Sequence, residues 1–112
     1  MAPLLSIDKI HRYISNRLDE EAIGNRNLAG IIGDGPSHYS KSPALWNAAF
    51  RHLAMNAVYL PFDVAEGRIR DLLRVLRDSE QFIGINVTVP HKVRVIDFLD
   101  DLDAGAARIH AV

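Results

Sequence analysis

The chain has 112 residues, 48 % apolar and 24 % charged, with 13 basic and 14 acidic residues and a formal net charge of -1; this is the composition of one globular domain, not of a disordered, fibrous or nucleic-acid-seeking chain. Cysteine is absent, which excludes a disulfide framework, a thiolate metal site and a cysteine nucleophile, and agrees with a reducing compartment. No apolar run approaches the roughly 18 residues of a membrane span, and Met1-Ala2-Pro3-Leu4-Leu5 is too short and uncharged for a signal peptide, so the expected setting is cytoplasmic, with neither membrane nor nucleic acid as partner.

From the N-terminus, Ile7, Ile10, Ile14, Leu18 and Ala22 recur at intervals of three and four with polar residues between them, which predicts one amphipathic helix over residues 7–22. Gly24-Asn25-Arg26-Asn27 stops it, because glycine and asparagine favour the left-handed conformation at a helix end. This is the one compositional break, so residues 1–28 are read as a helical extension and residues 29–112 as the main domain. Leu28 to Ile32 is short, apolar and partly β-branched and reads as a buried strand; a loop rich in Gly, Pro and Ser follows from Gly33 to Ser42. Ser42-Pro43 starts a helix, since serine caps free N–H groups and proline fits the first helical position. It is predicted to run from Pro43 to Met55 with Leu45, Ala48, Ala49, His52 and Leu53 facing inward. A second strand is expected at Ala57 to Phe62, a helix at Ala65 to Asp78 with Ile69, Leu72, Leu73 and Leu76 as its apolar face, a third strand at Phe82 to Val87, and a helix opened by Pro90 through Leu99.

Strand and helix alternating at this spacing predict a three-layer α/β domain with a mainly parallel sheet. In open sheets of this kind a ligand sits beyond the carboxyl ends of the strands. The loops Gly33 to Ser42 and Val87 to Lys92 are therefore expected on one rim.

The first loop reads Gly33-Asp34-Gly35-Pro36-Ser37-His38-Tyr39-Ser40-Lys41-Ser42-Pro43. Its hydroxyls stand just before a helix whose first N–H groups are free, a natural cradle for a carboxylate; equally, Ser42 serves as a helix cap and Ser40 as a turn residue. Ser40 stands where a phosphate-binding Gly-Lys-Ser loop needs glycine, and there is no Gly-x-Gly-x-x-Gly element, so no nucleotide-binding loop is present. The second loop, Asn86-Val87-Thr88-Val89-Pro90-His91-Lys92, sets Lys92 in the first turn of the expected helix, where the dipole disfavours a cation and an amine suits proton transfer. A solvated surface lysine is the plainer alternative. The five histidines show no metal-ligand spacing; His38 and His91 are the two whose loops would let them reach a ligand.

Taken together, these two loops resemble the substrate-binding N-terminal domain of the shikimate dehydrogenase family. The resemblance rests on Ser40-Lys41-Ser42-Pro43 followed by Asn47-Ala48-Ala49-Phe50, on Asn86-Val87-Thr88-Val89-Pro90-His91-Lys92, and on Ile109-His110-Ala111-Val112 where the family has Ile-Gly-Ala-Val. It covers residues 29 to 112. It implies that Ser40 and Ser42 hold a substrate carboxylate, that Thr88 contacts a ring hydroxyl, and that Lys92 is catalytic, exchanging a proton with the substrate oxygen while hydride moves to or from a nicotinamide. The implied partner is a hydroxylated ring carboxylate of the shikimate or quinate type. Three departures stand out: Tyr39 precedes Ser40 where the family has histidine, Trp46 stands where histidine is common, and His110 replaces a glycine.

The resemblance also implies what is not in the sequence. The family's catalytic aspartate, its NADP-binding Rossmann domain with the Gly-rich loop, and a C-terminal helix that returns to the first domain all fall beyond residue 112. The expectation is half of a two-domain dehydrogenase, binding no NADP and inactive by itself. A domain deprived of its closing helix exposes apolar surface, which allows a homodimer. The alternative is a sensor or regulatory module that keeps the ring-acid pocket without hydride chemistry.

Overall fold

The computed structural model describes residues 7–112; the N-terminal pentapeptide read above lies outside them. Three strands form one parallel sheet in the order β2-β1-β3: β1 is Asn27–Gly33, β2 Ala57–Asp63 and β3 Phe82–Val87. All three coincide with the short apolar runs of the sequence. The helices are α1 (Ile7–His11), α2 (Glu20–Ile23), α3 (Pro36–Tyr39), α4 (Ser42–His52), α5 (Ile69–Arg77) and α6 (Ala104–Ile109), with 3-10 turns at Glu66–Arg68 and Arg94–Phe98.

Two apolar layers make the domain three-layered, as expected. On one face Leu28, Ile32, Val58 and Phe62 pack against Ile69, Leu72, Leu73 and Leu76, the predicted stripe of α5, and all eight are buried. Each such aliphatic side chain removed from water contributes about 1.5–3 kcal/mol. On the other face Ala29, Ile31, Ala57 and Tyr59 pack against Phe50 of α4. Ile10, Leu18 and Ile23 are buried in the first cluster, so residues before β1 share its core.

The single helix expected over residues 7–22 is instead two short ones joined by a turn and a bend. The cause lies in β2, an edge strand with one row of N–H and C=O groups unpaired by the sheet. The Ser15 amide donates to the Asp63 carbonyl at 2.9 Å, Asn16 Nδ2 donates to the Pro61 carbonyl at 2.9 Å, and the Asp63 amide donates to Asn16 Oδ1 at 2.8 Å. Residues 15 and 16 thus run along the free edge and satisfy it, which a continuous helix could not do. Gly24 ends α2 at the place the sequence predicted, with a positive φ of +47° but a ψ of -125°, outside the left-handed helical conformation.

The inward face of α4 also differs from expectation. Leu45 and Leu53 are 70 % and 64 % exposed, while Phe50 is the buried residue of the helix. Asn47 explains the rotation: its Nδ2 donates to the Tyr59 carbonyl at 2.9 Å and its Oδ1 accepts from the Tyr59 amide at 2.8 Å, pairing the same free edge of β2. A polar residue thereby faces the sheet, which a stripe of apolar residues alone cannot reveal. The helix expected from Pro90 to Leu99 is a series of turns followed by the 3-10 segment; His91 turns inward, and its position, described below, replaces the helix start.

Candidate functional site

Parallel pairing of β1 with β3 brings both predicted loops to one rim, and the pairing continues past the strands. The Thr88 amide donates to the Ile32 carbonyl at 2.8 Å, and the Asp34 amide donates to the Val89 carbonyl at 3.2 Å. Gly33 sits between these rungs. A Cβ there would collide with the Thr88 methyl and lie 3.1 Å from the Val89 carbonyl oxygen, so the close approach of the two loops requires glycine.

In the first loop a buried carboxylate sets the geometry. Asp63, at the end of β2, is 4 % exposed and accepts from the Ser37 amide at 2.9 Å and from the Ser37 hydroxyl; the exposed His38 imidazole lies 3.9 Å away. These bonds pin α3 and thereby the segment that carries Ser40 and Ser42. The Ser40 hydroxyl accepts from the Ser42 amide at 3.2 Å. Ser42 therefore does not cap α4: it lies inside the first turn, Lys41 holds the cap position without a side-chain bond, and Ser40 supplies the oxygen.

In the second loop the peptide between Val89 and Pro90 is cis, and the His91 amide donates to the Thr88 carbonyl at 3.1 Å. Thr88 is half-buried on the rim. Lys92 is exposed and lies in a turn, not in the first turn of a helix, so the helix-dipole argument for its chemistry does not apply. No ion pair among the described residues engages its ammonium, and its carbonyl accepts from the Val112 amide at 3.0 Å. His91, expected to reach a ligand, is 2 % exposed; its Nε2 lies 2.7 Å from the Val64 carbonyl oxygen and donates to it, leaving Nδ1 buried without a partner. It ties the turn to the residue after β2, with its ring buried instead of open to a ligand.

Two residues of the site had no role assigned from the sequence. Tyr59, on β2, is 2 % exposed, and its phenol oxygen accepts from Asn86 Nδ2 at 3.0 Å. Burial pushes the phenol above its ordinary value near 10, and the bond from Asn86 works against that rise. Trp46 stacks on the ring with centroids 5.6 Å apart and planes at 6°. A groove of about 350 Å³ opens beside them, lined by Ala29, Trp46, Tyr59, Ile83 and Asn86 among others. A tyrosine in a strand flanked by apolar residues needs a hydroxyl partner when buried, and that requirement was the available signal.

The family model of the shikimate dehydrogenase substrate binding domain matches residues 31–112. The chain belongs to this family. Shikimate dehydrogenase (NADP(+)) from Methanopyrus kandleri is 45 % identical over 86 residues, 77 % of this chain and 29 % of its own length; that from Shouchella clausii is 37 % identical over 83 residues, 74 % and 30 %. The chain thus spans under a third of these curated relatives. Among solved structures, shikimate 5-dehydrogenase from Listeria monocytogenes in complex with shikimate and NAD superposes at TM-score 0.74 and 33 % identity over 87 % of this chain and 33 % of its own. The enzyme from Aquifex aeolicus gives 0.73 and 36 % over 80 % and 33 %. The three-layer α/β architecture is therefore that of a substrate-binding domain of shikimate dehydrogenases, and the motifs at Ser40 and Asn86 fall inside the matched residues.

Proposed function

We propose that this chain is the acid-binding part of an NADP-dependent oxidoreductase that interconverts 3-dehydroshikimate and shikimate, or a related ring acid such as quinate. The observation that carries the reading is the meeting of the Ser40–Ser42 and Asn86–Lys92 loops across Gly33 at one end of the sheet. Ser40 and Ser42 present hydroxyls and α4 amides to a carboxylate, Thr88 presents a hydroxyl to a ring oxygen, and Lys92 gives a proton to the substrate oxygen on reduction and takes it back on oxidation.

NADP, when bound, supplies hydride exchange at the ring carbon. The residues present do not form its cradle. The Gly33-Asp34-Gly35 turn leads into α3, a four-residue helix whose Ser37 amide already bonds the Asp63 carboxylate, and a pyrophosphate there would meet negative charge. NADP therefore belongs, in this reading, to residues outside the sequence. No helix among the described residues is long and apolar enough to cross a membrane; a cytoplasmic setting and a homodimer go with the same proposal.

Isothermal titration of the 112-residue chain with shikimate, quinate and NADP tests the reading. Saturable binding of a ring acid, abolished in the Ser40→Ala, Ser42→Ala double variant, is the expected result. Tight binding of NADP, or ring-acid binding that survives the double variant, would overturn it.

A further inference from the structure

Residues 15 and 16 precede β1 and fall outside the residues 31–112 that the family model matches, yet a line of hydrogen bonds joins them to the first loop. The Ser15 amide and hydroxyl donate to the Asp63 carbonyl at 2.9 and 3.2 Å, and the Asp63 amide donates to Asn16 Oδ1 at 2.8 Å, so both backbone polar atoms of Asp63 are held. The Asp63 side chain carries the connection onward, its two carboxylate oxygens accepting from the Ser37 amide and hydroxyl. Ser37 lies in α3, at whose end the Ser40 amide donates to the Pro36 carbonyl at 2.9 Å. The Ser40 hydroxyl in turn accepts from the Ser42 amide at 3.2 Å. An unbroken series of contacts thus leads from Asn16 to the two serines of the first loop.

Stability alone does not account for a carboxylate at this place. Asp63 is 4 % exposed, and burying a charge costs more than burying an apolar residue of similar size. What the carboxylate does is hold a helix of four residues, too short to keep its place by its own backbone bonds. We propose that Asp63 is a positioning residue of the acid pocket: locked by Ser15 and Asn16, it fixes α3 so that Ser40 and Ser42 meet the ring carboxylate in one arrangement. The segment before β1 thereby takes part in binding without touching the ligand. The inference rests on the ring-acid reading given above. A cradle set before the ligand arrives loses less freedom on binding, and its loosening appears as weaker binding.

The test is a shikimate titration of the 112-residue chain, its Asp63→Ala, Asp63→Asn and Ser40→Ala variants, and the Asp63→Ala, Ser40→Ala double variant, with a thermal-unfolding scan of each. Asp63→Ala is expected to bind about tenfold more weakly, the effect of losing the bonds that hold Ser37. Asp63→Asn is expected to stay within a few fold of wild type, since its amide oxygen accepts from the Ser37 amide and its NH₂ donates to the Ser37 hydroxyl. In the Ser40→Ala background Asp63→Ala is expected to do little, because the hydroxyl that α3 delivers is already gone. Should Asp63→Ala fail to fold, Asn16→Ala cuts the support from the other side and is expected to show the same non-additivity with Ser40→Ala. Wild-type affinity in the folded alanine variant, equal losses in Asp63→Asn and Asp63→Ala, or losses that simply add in the double variant would overturn the positioning role while leaving the ring-acid reading intact. A wild-type chain that binds no shikimate would overturn both.

Discussion

The α-carbon of Gly33 faces the Thr88 methyl with no room for a side chain between them. This contact is the hinge point of the site, because it lets a loop after β1 and a loop after β3 share one rim. Gly33→Ala is expected to force the loops apart and to weaken shikimate binding by about 5- to 150-fold, in line with the 1–3 kcal/mol that overpacking costs. Gly84 is the control: a Cβ there meets nothing within 4 Å, so Gly84→Ala should leave both binding and unfolding temperature near wild type. Equal binding by Gly33→Ala and wild type would show that the close approach is dispensable.

Lys92 carries the proposed proton transfer from an exposed turn, without help from a helix dipole. In the catalytically competent protein that contains this chain, Lys92→Ala is expected to lower kcat by about 10²- to 10⁴-fold, the range of general acid–base catalysis. KM for the ring acid should change far less. Steady-state turnover of shikimate measures both, and a kcat within a few fold of wild type would remove Lys92 from the mechanism.

The strands and the α5 stripe were legible in the sequence because apolar runs and 3.6-residue periodicity report burial directly: Ile69, Leu72, Leu73 and Leu76 are all buried. What escaped was polar. Asn16 and Asn47 bond the free edge of β2, and a hydrophobicity pattern assigns such residues to solvent. One broke the predicted first helix and the other turned α4, leaving Leu45 outside. The rim itself was legible from parallel topology, and the motif residues Ser40, Ser42 and Thr88 lie on it. His91 moved from rim to interior because a ring nitrogen found the Val64 carbonyl, a partner that no spacing in the sequence announces. Tyr59 was read only as part of the second strand, and its bond to Asn86 lies between residues 27 positions apart, which no local pattern announces.

The raised phenol of Tyr59 predicts a stability change at alkaline pH. Burial favours the neutral form in the folded chain, so the unfolded chain ionises first, near pH 10. The contribution to stability is complete below pH 10 and is lost as pH rises through the higher folded value. Urea-unfolding midpoints from pH 8 to 11.5 should therefore fall more steeply for wild type than for Tyr59→Phe, which lacks the titrating group. Parallel curves for the two proteins would show that this phenol ionises alike in both states.

The end of α4 offers a gain in stability instead of a loss. After His52 the helix closes through Leu53, whose amide donates to the Ala49 carbonyl at 2.9 Å, and Ala54 then takes φ +53°. A side chain in the left-handed region is strained, whereas glycine adopts it freely. Ala54 is exposed, so replacing its methyl group forfeits little packing. Glycine also loses more chain entropy on folding, which offsets part of the relief. Ala54→Gly is accordingly expected to stabilise the chain by about 0.5–1 kcal/mol. For a domain of this size that corresponds to a rise of roughly 2–8 °C in Tm, measurable by calorimetry, with shikimate affinity unchanged because Ala54 lies at the opposite end of α4 from Ser42. A lower Tm would mean that the backbone at Ala54 relaxes out of the left-handed region in solution.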